Sequence, residues 1–164
     1  MVEIKKHSGI YTLTVKQKLS IGLSEAWDYF STPVNLAEIT PPHMGFKITS
    51  EVPDKMFPGQ IISYKVAPLP GVKTNWVTEI THVEQNKLFV DEQRFGPYSM
   101  WHHEHHFEEV EGGILMTDKV SYKIPFGFLG HLAQGLLVRK QLTDIFGYRV
   151  STLEKIFNGT KKPS

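Results

Sequence analysis

From Phe46 to Ile124 the chain is one strand-like segment after another, and a single long helical pattern comes after them. The segments are Phe46–Glu51, Gln60–Val66, Lys73–Val83, Leu88–Arg94, Tyr98–Val110 and Ile114–Ile124. Between them stand Pro58-Gly59, Pro68-Leu69-Pro70-Gly71, Gln85-Asn86, Gly96-Pro97 and Gly112-Gly113. Breaks this short join neighbouring strands as antiparallel hairpins. The helical pattern runs from His131 to Phe157, with an apolar stripe of Leu132, Leu136, Leu142, Phe146, Val150, Leu153 and Phe157. At about 1.5 Å per residue such a helix is roughly 40 Å long, and a strand such as Tyr98–Val110, at about 3.3 Å per residue, nearly matches it. A helix of that length with one apolar stripe needs an equally long surface to cover it. A curved antiparallel sheet supplies one.

The segment before these strands adds Ile10–Leu19, which alternates apolar and polar residues as a half-buried strand does. Ser24 stands as an N-cap before a short helix, and Thr32-Pro33 opens a second over Val34–Ile39 that Thr40-Pro41-Pro42 must end. The expectation is an α+β helix-grip fold. It has about seven antiparallel strands wrapped around the C-terminal helix and two short helices after the first strand, in one domain over residues 1–164 with a core of about 10–157.

Composition excludes several function classes. Apolar residues are 40% and charged residues 21% of the chain, a balance that argues for a packed core rather than disorder. Net charge is +1 and the cations are scattered, so no nucleic-acid or acidic-lipid surface is indicated. No cysteine is present, which excludes disulfides and thiolate chemistry and suits the reducing cytoplasm where we expect the protein to work. Met1 to Ser8 is polar and has no signal-peptide core, and no apolar run nears the roughly 20 residues that insertion into a membrane needs. Nothing in the chain speaks to its oligomeric state.

The most unusual stretch is Trp101-His102-His103-Glu104-His105-His106-Phe107. On a strand, Trp101, His103, His105 and Phe107 share one face and His102, Glu104, His106 and Glu108 the other. The large apolar pair claims the inner face, which carries His103 and His105 inside and leaves the second row solvated. Three readings of the inner pair stay open: hydrogen-bonded core histidines, polar contacts to a ligand, or a metal site. A metal needs three or four protein ligands and only two are visible, so we expect no cofactor and no tightly held ion. On Ile114–Ile124 the apolar alternation takes Asp118 inward with Met116, Val120 and Tyr122, and the hairpin at Gly112-Gly113 brings Asp118 beside His105. Arg139 lies seven residues from both Leu132 and Phe146, so it either snorkels to the helix edge or faces the interior. Gly135 and Gly147 are unfavourable inside a helix and stand for close packing or for ligand room. Tyr64, Trp76, Trp101 and Tyr122 fall on strands that line the sheet and make a wall for a flat or greasy molecule.

The order of elements, with TPPHMGF (Thr40–Phe46), FVDEQRFGPYSMWHHEHHF (Phe89–Phe107), TDKVSYKIPFG (Thr117–Gly127) and IFGYR (Ile145–Arg149), resembles the START-like superfamily. This is also called the SRPBCC or polyketide cyclase/dehydrase superfamily, which includes the major birch pollen allergen, and the likeness extends to a bacterial group of ligand-binding domains. The resemblance covers about Ile10 to Phe157. It implies a cavity between sheet and long helix that binds lipids, sterols, polyketides or other hydrophobic molecules. It does not itself imply catalysis.

Two classes of function therefore stand against each other, with a third beside them. The first is non-covalent binding of a small hydrophobic or amphipathic molecule, with Tyr64, Trp76, Trp101, His103, His105, Asp118, Tyr122 and Arg139 as candidate contacts. The second is a cyclase- or hydratase-type enzyme in which His103 or His105 is a general base oriented by Asp118. The third is a protein-interaction module, which should carry a large exposed apolar patch. No phosphate-cradling glycine loop or nucleophile elbow is present.

Overall fold

The structure is a computed structural model that describes residues 1–69, 72–125 and 137–159. Eight strands form one antiparallel sheet: β1 (Glu3–His7), β2 (Ile10–Leu19), β3 (Lys47–Ile48), β4 (Ile61–Leu69), β5 (Val72–Glu84), β6 (Leu88–Phe95), β7 (Met100–Val110) and β8 (Gly113–Lys123). Their order across the sheet is β1-β2-β8-β7-β6-β5-β4-β3. Every neighbour is thus a hairpin partner except β2 and β8, whose pairing brings the two ends of the strand run together. Helix α1 (Leu23–Phe30) follows β2, and two 3-10 turns, Pro33–Ala37 and Pro42–Met44, lead to β3. Helix α2 (Arg139–Leu153) closes the order and continues into a wider turn over Glu154–Asn158. This is the helix-grip architecture.

Several expectations need correction. The sheet gains β1, which the polar sequence of residues 3–7 hides. It is an edge strand with one neighbour, almost wholly exposed, and so shows no apolar alternation. Ser8 and Gly9, with φ of 47° and 78°, turn it into β2. The cap of α1 is Gly22, not Ser24, and the second short helix is the 3-10 turn Pro33–Ala37. The stretches Pro70-Gly71, Phe126–Gly130 and His131–Leu136, including Gly135, lie outside the described residues. Gly147 is exposed with open space around it, so neither close packing nor ligand room accounts for it.

Two local features position the site. Glu111 and Gly112 make a two-residue turn between Val110 and Gly113, which pairs His105 with Asp118. Gly113 sits at φ 145°, and a Cβ there would lie 2.0 Å from the Leu19 carbonyl oxygen, so only glycine fits. Register shifts in the β4–β5 and β5–β6 pairings bend the far side of the sheet. Along α2, Leu142, Phe146, Arg149 and Leu153 are the buried residues, one face at a spacing of three and four. Leu142 and Phe146 pack with Leu13, Val120 and Tyr122, whereas Leu153 packs with Trp27, Phe30 and Phe107. A third cluster, Met44, Val66 and Trp76, lies under the bent side.

Candidate functional site: a cavity with an ionic floor

Where the three clusters meet, the interior is not filled. A cavity of about 190 Å³ lies between the sheet and α2. Its walls are mostly apolar: Ile39, Met44 and Phe46 from the segment before β3, Ile62, Tyr64, Val66 and Trp76 from β4 and β5, and Leu142, Ile145 and Phe146 from α2. The aromatic rings there are mutually braced. Tyr64 stacks on Trp76 at 6.0 Å between centroids, and Trp76 meets Trp101 edge-on at 5.2 Å. The Tyr64 hydroxyl is 3.1 Å from Thr78 Oγ1, which satisfies its polar tip.

One side of the cavity is ionic. Strand alternation turns His103 and His105 inward, where they are 6% and 5% exposed. Asp118 on β8 lies opposite His105, and Asp91 on β6 lies opposite His103. The four side chains form a closed ring across three strands. His103 Nε2 is 3.0 Å from Asp118 Oδ1, and its Nδ1 is 3.3 Å from Asp91 Oδ2. His105 Nε2 is 2.9 Å from Asp91 Oδ2, and its Nδ1 is 3.1 Å from Asp118 Oδ1 without the alignment of a hydrogen bond. Arg149 of α2 reaches Asp118 Oδ1 with Nη2 at 3.5 Å, while its guanidinium lies over the rings of Phe30 and Phe146. Asp91, His103, His105 and Arg149 line the cavity; Asp118 stands behind the imidazoles.

The charges follow from this packing. Burial opposes ionisation of Asp118, but Arg149 and the two imidazoles outweigh it and hold the carboxyl well below the usual range. Burial likewise opposes ionisation of Asp91, and His103 with His105 overcomes it. His103 is penalised by burial, yet the two carboxylates raise its pKa above the ordinary value. His105 is pushed down by burial and by the charge on His103. These directions favour ionised Asp91 and Asp118 and place a shared proton on His103 rather than on His105.

Of the residues proposed from sequence, the structure brings Tyr64, Trp76, Trp101, His103 and His105 to the cavity wall, with Asp118 directly behind. Tyr122 is elsewhere: it is wholly buried, stacked on Tyr11 at 5.5 Å, and belongs to the core under β2. Arg139 is exposed. It lies on the α2 stripe but at the helix start, and the cavity lining from α2 begins only at Gln141. The cation that does face inward is Arg149, seven residues after Leu142, at the point of the stripe where the sequence pattern places Val150. Asp91 escapes the sequence reading as well. Its signal is present, since it alternates with the buried Phe89 on one face of β6.

The outer row of β7 behaves as a solvated face. His102 Nδ1 is 2.7 Å from a Glu92 carboxylate oxygen, His106 Nε2 is 2.8 Å from Glu104, and Lys119 also reaches Glu104.

No family model and no curated protein matches the chain. Solved structures do. A Rhodobacter sphaeroides protein superposes with a TM-score of 0.69 at 14% identity, covering 98% of this chain and 100% of its own. Protein Ms6760 from Mycobacterium smegmatis gives 0.66 at 16% identity, covering 95% and 99%. Ara h 8.0201 gives 0.56 at 14% identity, covering 88% and 98%. The chain has the START-like helix-grip fold. At these identities the likeness extends to the START-like architecture alone. Among the described residues, no helix is long and apolar enough to cross a membrane.

Proposed function

We propose that the protein binds a small, largely apolar molecule non-covalently in the cavity between sheet and α2. The observation that carries this reading is an unfilled interior with apolar aromatic walls and one ionic side. Interiors are normally packed to crystal density, and empty space of this size costs stability unless it is used. The volume, about 190 Å³, is above the roughly 150 Å³ that holds a benzene in an engineered core. It is below the roughly 300 Å³ where drug-sized sites begin. The occupant is accordingly small and flat, of one or two rings. The floor sums to near zero charge, which favours a neutral polar end, a hydroxyl or carbonyl, over a carboxylate.

The general-base reading gains less from this geometry. A base needs a nitrogen lone pair free to take a proton from substrate. Each imidazole here has both nitrogens within 3.3 Å of a carboxylate oxygen. An interaction module would need a broad apolar surface; the exposed large apolar residues among those described are Met1, Val34, Phe57, Ile61, Phe95 and Leu137, of which only Ile61 and Phe95 are set on either side of one strand, β5.

Titration with 2-naphthol tests the proposal. We expect saturable binding at one site per chain with quenching of tryptophan emission, since Trp76 and Trp101 flank the cavity. Val66→Trp, which fills the space, should abolish it. Absence of saturable binding, or binding unchanged in Val66→Trp, would refute the reading.

A further inference from the structure

We propose that Asp91, His103 and His105 form a site for a divalent first-row transition-metal ion, open to the cavity and steadied from behind by Asp118 and Arg149. The site does not depend on the cavity taking an organic ligand. The sequence shows only a His-x-His pair, which is too few ligands for a stable ion. The structure adds a carboxylate from the neighbouring strand, and the three ligand atoms lie within 4.8 Å of one another.

The two distances from the carboxylate fit coordination. Metal–ligand bonds of about 2.1 Å place two ligand atoms about 3.0 Å apart at a right angle and about 3.4 Å apart at the tetrahedral angle. Asp91 Oδ2 is 2.9 Å from His105 Nε2 and 3.3 Å from His103 Nδ1.

Proton counting gives an independent reason. Four imidazole nitrogens face carboxylate oxygens in this ring. Two neutral imidazoles supply two protons for those four contacts. Protonating both would set two cations side by side, with ring centroids 3.8 Å apart. With two hydrogens, or three when one ring is protonated, at least one of the four buried nitrogens faces an anion without a hydrogen, and His105 Nδ1 is the nitrogen without a hydrogen-bond partner. A metal ion removes the conflict. Both imidazoles become neutral. Their rear nitrogens then carry the hydrogens: His103 Nε2 donates to Asp118 Oδ1 at 3.0 Å, and His105 Nδ1 lies 3.1 Å from the same oxygen without the alignment of a hydrogen bond. Their front nitrogens offer lone pairs on the side where Asp91 offers its oxygen.

The rear arrangement is what a metal site needs. A ligating histidine generally donates its other N–H to a carboxylate that fixes its tautomer and orientation. Here one carboxylate stands behind both rings, hydrogen-bonded to His103 and 3.1 Å from His105 Nδ1, and Arg149 at 3.5 Å holds that carboxylate. Two imidazoles and one carboxylate on one side suit Zn²⁺, Fe²⁺ or Co²⁺ and leave further positions toward the cavity. The dianion–guanidinium set plus a divalent ion carries a net charge of +1, so the loaded floor would take an oxygen donor from the cavity's occupant.

Untagged protein, stripped with a chelator and shown folded by circular dichroism, should be titrated with Co²⁺ and Zn²⁺ alone. We expect one equivalent per chain, a Co²⁺ ligand-field spectrum of low coordination number, and its loss on adding Zn²⁺. Asp91→Asn should weaken binding by about 100-fold or more, and Asp118→Asn by roughly 10–100-fold, the usual effect of losing a partner behind a metal ligand. The double substitution His102→Ala/His106→Ala, on the outer face, should leave affinity within about threefold. No stoichiometric ion in the wild-type chain would overturn the proposal. So would binding that survives Asp91→Asn and disappears with the outer histidines. The wild-type titration needs no substitution, so a variant that fails to fold leaves the test intact.

Discussion

Replacing Asp118 by asparagine keeps the side chain's shape and removes its charge, and the structure says how much that should cost. One oxygen, Oδ1, faces His103 Nε2 at 3.0 Å, His105 Nδ1 at 3.1 Å and Arg149 Nη2 at 3.5 Å. Asp118 is 4% exposed and Arg149 6%, so water cannot take over. Without the carboxylate, Arg149 keeps a buried charge whose anion is gone, and its Nε already lacks a partner. Removing one member of a buried pair costs about 3–5 kcal/mol. For a domain of this size 1 kcal/mol moves Tm by about 2–4 °C, so Tm should fall by roughly 6–20 °C. Urea denaturation should show a lower midpoint with an unchanged slope. Arg149→Met should also destabilise, but the double variant should be less unstable than the sum, with a coupling of about 2–3 kcal/mol. Asp118→Asn within 1 kcal/mol of wild type, or an additive double variant, would refute the claim that the floor is held by this ion pair.

Two further expectations concern stability. The metal-free protein should be most stable near pH 6.5. Below that, the unfolded chain protonates His105's imidazole while burial and His103 resist it in the fold, so stability falls with a slope of up to about 1.4 kcal/mol per pH unit. Asp91 and Asp118, both depressed in the fold, contribute fully above about pH 4 and lose that contribution as the pH drops through their folded values. His103, raised in the fold, contributes fully below about pH 6.5 and loses that contribution as the pH rises through its folded value. Urea midpoints measured from pH 3 to 9 check this, and a flat profile above pH 4 would contradict it. Gly113→Ala should cost about 1–3 kcal/mol from backbone conformation alone, with more from the overlap with the Leu19 carbonyl, measured as a shift in urea midpoint. A neutral result would mean that the β7–β8 turn does not set the register of the site.

Much of this protein is determined by local pattern. Period-two alternation in Ile10–Leu19, Met100–Val110 and Gly113–Lys123 decides which side chains enter the core, because a strand has only two faces and Trp101, Phe107, Met116 and Val120 can satisfy only one of them. That alone turns His103, His105 and Asp118 inward, and the two-residue turn before Gly113 sets His105 against Asp118. The long helical pattern after an antiparallel run does the same for the architecture. What the sequence does not determine is which strands become neighbours beyond a hairpin's reach and where a helix's stripe meets the sheet. Asp91 joins the histidines because β6 pairs with β7 in one register, with Asp91 opposite His103. Arg149 rather than Arg139 meets Asp118 because the rotation of α2 about its axis is settled by packing Leu142, Phe146 and Leu153 at once, and Arg139 falls beyond the cavity. An inward-facing charge is legible from alternation; its partner is decided only when separate elements close on each other, since the energy of a buried pair depends on a few ångströms that no local pattern encodes.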